Sequence, residues 1–259
     1  MNESFIYTTD ASALCAALFC VMLLAIFFGS KLGTVRFEKH EDSAGNTTIV
    51  SALFGLLAFL LAVTFGMSGS RFDARRDAII NEANAIGTAV LRADLYQDTV
   101  RKVFRGEFKG YLQARINYYE AGRNVPKMKA ASKTADSLSV YLWKQAMVEA
   151  RTNPDFTRGN QMIPALNDMF DKAAICNARE KARVPDPMVI LLFTLSVASA
   201  FYAGYISAGK GKLDWFIIIG FCFLTSLVIY ITLDLDRPRR GLINLDNTHE
   251  TMIDLLKLL

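Results

Sequence analysis

The chain has 259 residues, 52% of them hydrophobic, with a net charge of +4 and a mean hydropathy of +0.24. A protein lying wholly within a membrane would be more apolar, and the basic residues are too dispersed for a nucleic-acid-binding surface. The four cysteines show no spacing typical of a disulfide framework or a zinc site, so no metal or other cofactor is predicted.

Four long runs contain no charged residue: Ala11–Ser30, Ile49–Gly69, Pro187–Ala208 and Trp215–Leu233. Each has roughly the 18–20 residues that a helix needs to cross a hydrocarbon core of about 30 Å. The first run is not typical of a signal peptide, because no basic region precedes it. The sequence therefore predicts a polytopic membrane protein with four transmembrane helices.

A polar stretch, Ser70–Asp186, separates the second run from the third. It carries 20 Lys/Arg and 14 Asp/Glu, so its net charge is +6, which fits contact with anionic membrane lipids. Apolar residues recur at helical spacing in four segments, with no strand alternation: Asp73–Leu95, Val100–Tyr119, Ala130–Arg151 and Met162–Arg183. We expect an all-α protein with a cytoplasmic helical bundle inserted between transmembrane helices two and three.

The end of the chain forms a further segment. Thr248–Leu259 has a broad apolar face and is expected to pack on the bundle or on a neighbouring subunit, with an interfacial membrane helix as the alternative. The predicted organisation is transmembrane helices one and two at 1–69, the helical domain at 70–186, transmembrane helices three and four at 187–233, and the tail at 234–259.

Basic residues near the ends of the runs predict the orientation. One side of the membrane has nine: Arg71, Arg75, Arg76, Arg179, Lys181, Arg183, Arg237, Arg239 and Arg240. The other side has five: Lys31, Arg36, Lys39, Lys210 and Lys212. The positive-inside rule places both termini and the helical domain in the cytoplasm.

The second run has two notable rows of side chains. Small residues align on one helix face: Gly55, Ala58, Ala62 and Gly66. Such a face is typical of close helix packing. Beside it lie Leu57, Leu61 and Phe65, which in a ring of subunits would form a hydrophobic constriction. Ordinary core or lipid-facing packing is the alternative for this bulky row.

Charged residues follow the second run: Asp73, Arg75, Arg76 and Glu82. They are interpreted either as ion pairs and anchors where the helix leaves the bilayer, or as a charged vestibule that selects ions. Asn84 and Asn167 lie on otherwise apolar helices, and we expect them to be buried and hydrogen-bonded.

Several motifs together resemble one family. Phe54-Gly55-Leu56-Leu57-Ala58-Phe59, Phe72-Asp73-x-Arg75 and Glu82-Ala83-Asn84-Ala85-Ile86-Gly87 are similar to the bestrophin-like family of bacterial membrane proteins. Further similar motifs are Leu166-Asn167-x-x-Phe170-Asp171, Arg183-x-Pro185 and Leu233-Asp234-x-Asp236-x-Pro238-x-x-Gly241. The resemblance covers about Ser51–Asn244.

The resemblance implies a location in the bacterial inner membrane and a more distant similarity to bestrophins. Those are pentameric ion channels with four spans per subunit, in which the second helix lines the pore. The Arg expected soon after the neck aromatic is absent, since Gly66 and Met67 follow Phe65. Because Asp234 and Asp236 stand without further acidic neighbours, calcium gating is not implied.

An enzyme is not predicted, since the chain lacks catalytic motifs such as HExxH, Gly-x-Ser-x-Gly and a phosphate-binding loop. The leading hypothesis is a homo-oligomeric ion channel whose pore is lined by transmembrane helix two. The alternative is a non-conducting scaffold or sensor whose basic domain binds lipid headgroups or a protein partner.

Overall fold

The computed structural model describes residues 9–37, 44–152, 156–208, 214–237, 239, 243 and 246–259. Their regular structure is entirely helical. The helices are α1 (Ala11–Phe37), α2 (Ala44–Arg92), α3 (Asp98–Glu120), α4 (Val125–Thr152), α5 (Phe156–Lys181), α6 (Asp186–Ser207), α7 (Trp215–Leu235) and α8 (Asp246–Asp254). Short 3-10 turns, Ala93–Leu95 and Leu255–Leu258, follow α2 and α8.

The chain divides into two compact units. The membrane unit comprises Met1–Arg71 and Arg183–Arg237, and the helical unit comprises Phe72–Ala182 and Pro238–Leu259. Four stretches are long and apolar enough to cross a membrane: Ala11–Val35, Thr48–Leu95, Phe156–Ser207 and Trp215–Leu235. Pro238, Gly241 and residues 38–43 and 209–213 lie outside the described residues.

Glycines bring α1 and α6 into close contact in the membrane unit. A Cβ atom on Gly204 of α6 would collide with the carbonyl oxygen of Ile26, and one on Gly29 of α1 would collide with the carbonyl oxygen of Phe201. Gly33 lies equally close to the Tyr205 backbone. Without side chains at these positions the two backbones touch, which favours packing of helices in lipid.

The interior of the membrane unit combines aliphatic side chains from α1, α2, α6 and α7. Met22 and Ile26 of α1 and Ile229 of α7 are fully buried. The rings of Phe54 on α2 and Phe221 on α7 meet edge to face, with centroids 5.3 Å apart. Aromatic pairs favour this geometry, so α2 is held to α7 through the side of α2 that bears Phe54.

The helical unit is built from amphipathic helices around one core. Its fully buried side chains include Phe108 and Leu112 of α3, Leu142 of α4, Leu166 of α5 and Met252 of α8. Met252 belongs to the same cluster of apolar side chains as α3 to α5, so the end of the chain completes this core.

Two prolines lie within helices of the helical unit. Pro126 is the second residue of α4, where the missing N–H costs no helical hydrogen bond. Pro164 lies inside α5, which begins at Phe156. Between α3 and α4, Gly122 has a φ of 52°, which suits the left-handed end of a helix.

Candidate functional site

The α2 side chains proposed for a pore neck differ in exposure. Leu57 is 2% exposed and belongs to the core of the membrane unit. Leu61 is partly buried against the same core, whereas Phe65 is 43% exposed. Of the three residues, only Phe65 is exposed. The neck register stays a prediction.

The small-residue row of α2 points away from the packed side. Gly55, Ala58, Ala62 and Gly66 are all exposed. No atom lies within 4 Å of the position that a Cβ on Gly55 or Gly66 would occupy. The row therefore packs on no helix of its own chain within the described residues, and an outer face of α2 is left without a partner.

Close helix packing was predicted for this row of α2 but occurs between α1 and α6. Gly29 and Gly33 of α1, which share the four-residue spacing of a small-residue face, contact α6 instead. Sequence reasoning missed this pair although its spacing is visible. The row of small residues in α2 is longer, so the sequence prediction of close helix packing rested on α2.

The charged residues after the second span divide into two groups. Asp73 and Arg76 are exposed. Arg75 is 2% exposed, and its guanidinium donates to the carbonyl oxygens of Arg179 (3.3 Å) and Ala182 (2.8 Å). These carbonyls belong to the last turn of α5 and to the residue following it, where the helical i+4 donors have run out; the Arg179 carbonyl also accepts from the N–H of Ala182 at 3.2 Å. Arg75 therefore caps α5 within the helical unit.

Glu82 is at the centre of a buried polar network. Both of its carboxylate oxygens accept from the guanidinium of Arg115, with 2.8 Å between Nη2 and Oε2. The Tyr119 hydroxyl donates to Oε2 at 2.6 Å and lies 2.9 Å from the Cys176 sulfur. Asn177 accepts a further bond from Arg115 at 3.3 Å. The network joins α2, α3 and α5, so Glu82 is a core residue of the unit and lines no surface.

Burial and charge shift the pKa values of this network. Burial, the largest single influence, would lower the pKa of Arg115, but the charge and hydrogen bonds of Glu82 together with Tyr119 and Tyr111 raise that pKa well above its ordinary value. Burial and the same carboxylate raise the pKa of Tyr119 and raise the pKa of Cys176 to about 12. At neutral pH the network thus holds one charged pair, with a neutral phenol and a neutral thiol beside it.

A second network fixes the beginning of the tail. Arg239 forms an ion pair with Glu180 of α5 and donates to the carbonyl oxygen of Tyr118 at 2.8 Å. The Tyr118 hydroxyl donates to Glu180 at 2.5 Å, and the guanidinium of Arg239 lies 4.5 Å from the centre of the Tyr118 ring. The tail is therefore attached to α3 and α5 by charge-assisted bonds.

A third network gathers helix ends in the membrane unit. The buried carboxylate of Asp236 accepts from the backbone N–H of Val184 at 2.7 Å, and Arg183 donates to the Asp236 carbonyl at 3.0 Å. Arg237, also buried, donates to the carbonyl of Thr9 at 2.6 Å. These bonds join the beginnings of α1 and α6 to the end of α7.

Two polar residues lie elsewhere than predicted. Asn84 and Asn167 are exposed, so the expectation that they are buried was wrong: each lies on the outer side of an amphipathic helix. No group of three or more His, Cys, Asp or Glu side chains among the described residues is arranged to hold a metal ion.

Comparison with known proteins identifies the family. The sequence signature of the Bestrophin-like domain matches residues 13–248. No curated protein sequence matches the chain significantly. The helices and the apolar stretches define an all-helical membrane protein. The chain belongs to the Bestrophin-like family.

Solved structures share the fold. A bacterial bestrophin homologue from Klebsiella pneumoniae is similar with a TM-score of 0.68 over 92% of this chain and 97% of that chain, at 13% identity. A variant of that protein with one mutation is similar with a TM-score of 0.68, covering 93% and 99% of the two chains at 15% identity. Another such variant gives a TM-score of 0.67, with 93% and 98% covered at 15% identity. The all-α membrane fold is therefore confirmed.

Proposed function

We propose that this protein is a homo-oligomeric ion channel of the bacterial inner membrane, with α2 of each subunit lining a central pore. One observation carries the proposal: the outer face of α2, with Gly55 and Gly66, has no partner among the described residues of its own chain. Small residues allow neighbouring helices to approach closely, and a closed ring satisfies every such face. Five subunits are assumed by analogy with bestrophins.

Phe65 forms the constriction in this proposal. Its exposed ring would face the axis or the next subunit, where a ring of apolar side chains excludes water and closes a pore. Leu61 would flank it, and Leu57 would hold α2 on the core of the membrane unit. On the same helix the exposed residues Asp73 and Arg76 would contribute charges to a vestibule.

The helical unit and both termini are cytoplasmic in this proposal. The basic residues near the helix ends support that orientation. The protein then provides a gated path for ions, with no catalytic step and no cofactor.

A non-conducting scaffold or sensor is the second candidate. The exposed lysines of the helical unit, Lys127, Lys129 and Lys133 among them, favour a role in binding anionic groups. In that case the membrane helices only anchor the unit, and α2 surrounds no aqueous path.

Oligomeric state and conductance separate the two candidates. The full chain in lipid nanodiscs would be imaged by cryo-EM, and the purified protein would be recorded in planar bilayers. We expect a closed ring with α2 at its axis and a larger basal current for Phe65→Ala than for the unmodified protein. The matched control is Phe216→Ala on α7, whose side chain is 88% exposed. A monomer, a dimer without a shared cavity, or equal currents in both variants would overturn the channel proposal.

A further inference from the structure

The connection between α3 and α4 and the first turns of α4 carry four positive charges. The segment Ala121–Ala135 contains Arg123, Lys127, Lys129 and Lys133 and no acidic residue. All four side chains are exposed. We call these four residues the basic corner. The nearest acidic residues along the chain, Glu120 and Asp136, bound the segment and are also exposed.

The three lysines of the basic corner, Lys127, Lys129 and Lys133, form no ion pair with any residue that the structure describes. Four basic residues elsewhere in the helical unit do have acidic partners: Arg101 with Asp98, Arg105 with Asp94, Lys172 with Asp168 and Lys257 with Asp254. The three lysines of the basic corner, which follow one another without an acidic residue between them, leave their positive charge available to a binding partner.

The turn is hydrogen-bonded to the first residues of the tail within the helical unit. Arg239 donates to the carbonyl oxygens of Tyr118 (2.8 Å) and Gly122 (3.5 Å). In sequence, Arg239 is the second residue after Arg237, with which the membrane unit ends.

We propose that the basic corner binds the phosphate groups of anionic membrane lipids. Lysine ammonium groups act as mobile point charges suited to phosphate, and a basic segment next to a membrane helix is attracted to an anionic surface. Val125, which is 47% exposed, adds an apolar side chain that enters the headgroup region. The inference stands whether or not the chain conducts ions.

The side chains, rather than the helix end, carry this binding. The backbone N–H of Lys127 already donates to the Asn124 side chain at 3.0 Å, and that of Met128 donates to the Asn124 carbonyl at 2.9 Å. The first turn of α4 is thus capped. Charge reversal of the lysines should remove binding while leaving this backbone arrangement in place.

Native mass spectrometry of the full chain tests the proposal directly. The protein in detergent would receive equal amounts of phosphatidylglycerol and phosphatidylcholine. For the triple variant Lys127→Glu, Lys129→Glu and Lys133→Glu we expect the preference for phosphatidylglycerol to fall by about tenfold. The control reverses three exposed lysines away from the corner: Lys102→Glu, Lys109→Glu and Lys144→Glu. An equal loss in both triple variants, or no loss in either, would overturn the proposal.

A second measurement uses the unmodified protein and so does not depend on the folding of a variant. A photoactivatable phosphatidylglycerol in nanodiscs should crosslink to the peptide containing Ala121–Ala135. Excess inorganic phosphate should leave this crosslink in place, because the membrane presents many headgroups at once. Displacement by phosphate would assign the corner to a soluble anion, and crosslinks confined to other peptides would remove the lipid assignment.

Discussion

Glu82 of α2 and Arg115 of α3 form a two-point ion pair in the interior of the helical unit, 33 residues apart in sequence. The two side chains are 0% and 2% exposed. Tyr119 donates a further bond to the same carboxylate. Because a buried charge is costly without its partner, the pair fixes α2 against α3 in one arrangement.

Removing the carboxylate should therefore destabilise the unit strongly. Glu82→Ala leaves the Arg115 charge buried and unpaired, and we expect a loss of about 3–5 kcal/mol in the free energy of unfolding. Thermal and denaturant unfolding of the full chain in detergent measure it. Asp77→Ala, at an exposed position of the same helix, should change stability by no more than about 0.5 kcal/mol. Similar losses of stability for the two substitutions would contradict a buried ion pair between Glu82 and Arg115.

Arg75 and Arg76 offer a comparison of neighbouring residues. Arg75→Ala removes the bonds to the carbonyls of Arg179 and Ala182, and we expect a loss of about 1.5–3 kcal/mol. Arg76 is exposed, so Arg76→Ala should leave the melting temperature nearly unchanged. If Arg76 contributes to a vestibule, its substitution alters ion selectivity in bilayer recordings instead. A larger stability loss for Arg76→Ala would refute the capping role of Arg75.

The contact between α1 and α6 depends on the absence of side chains. In Gly204→Ala the new methyl group meets the Ile26 backbone, so the helices must separate, at a cost of about 1–3 kcal/mol or more. Gly220→Ala on α7 is the control, because no atom lies within 4 Å of its Cβ position. Fluorescence-detected melting in detergent compares them, and an unchanged melting temperature for Gly204→Ala would show that α1 and α6 lie further apart.

The outer face of α2 should respond differently to a large side chain. No described atom lies within 4 Å of the Cβ position of Gly66, so in Gly66→Leu the monomer is expected to keep its helical content and melting temperature. If neighbouring subunits pack on this face, the added volume shifts the assembly toward smaller species, which mass photometry detects. Gly220→Leu provides the matched substitution on α7. An intact oligomer in Gly66→Leu would place the subunit contacts on another face.

Cys176 predicts a stability loss at alkaline pH. Burial raises the pKa of its thiol from 9.0 to about 12 in the folded protein. Above pH 9 the unfolded chain releases a proton that the folded chain retains, so stability falls by up to roughly 1.4 kcal/mol per pH unit for this group. Denaturant unfolding from about pH 8 to pH 11 should show that the free energy of unfolding declines less steeply in Cys176→Ala than in the unmodified protein. Cys20→Ala is the control, and equal slopes in the two variants would exclude the contribution of Cys176.

The sequence alone was sufficient to predict the helices and the family. Long charge-free runs and helical periodicity are local signals, and the observed α2 and α3 end within three residues of the predicted limits. Which face of α2 is buried depends on α1, α6 and α7 and has no local signal. Asp73 and Glu82 are both acidic residues, and nothing in the local sequence distinguishes them. Only the fold brings Arg115 to Glu82 and leaves Asp73 exposed.

Met252 has a consequence for the order of synthesis. Its side chain is fully buried in the helical unit, and Leu255 lies 3.2 Å from the Cβ position of Gly87 on α2. The ribosome makes both residues after α6 and α7. The core formed by α2 to α5 is therefore incomplete until the later membrane segments have been translated. Newly made chains therefore expose apolar surface during insertion, and that interval is when premature association with other chains is most probable.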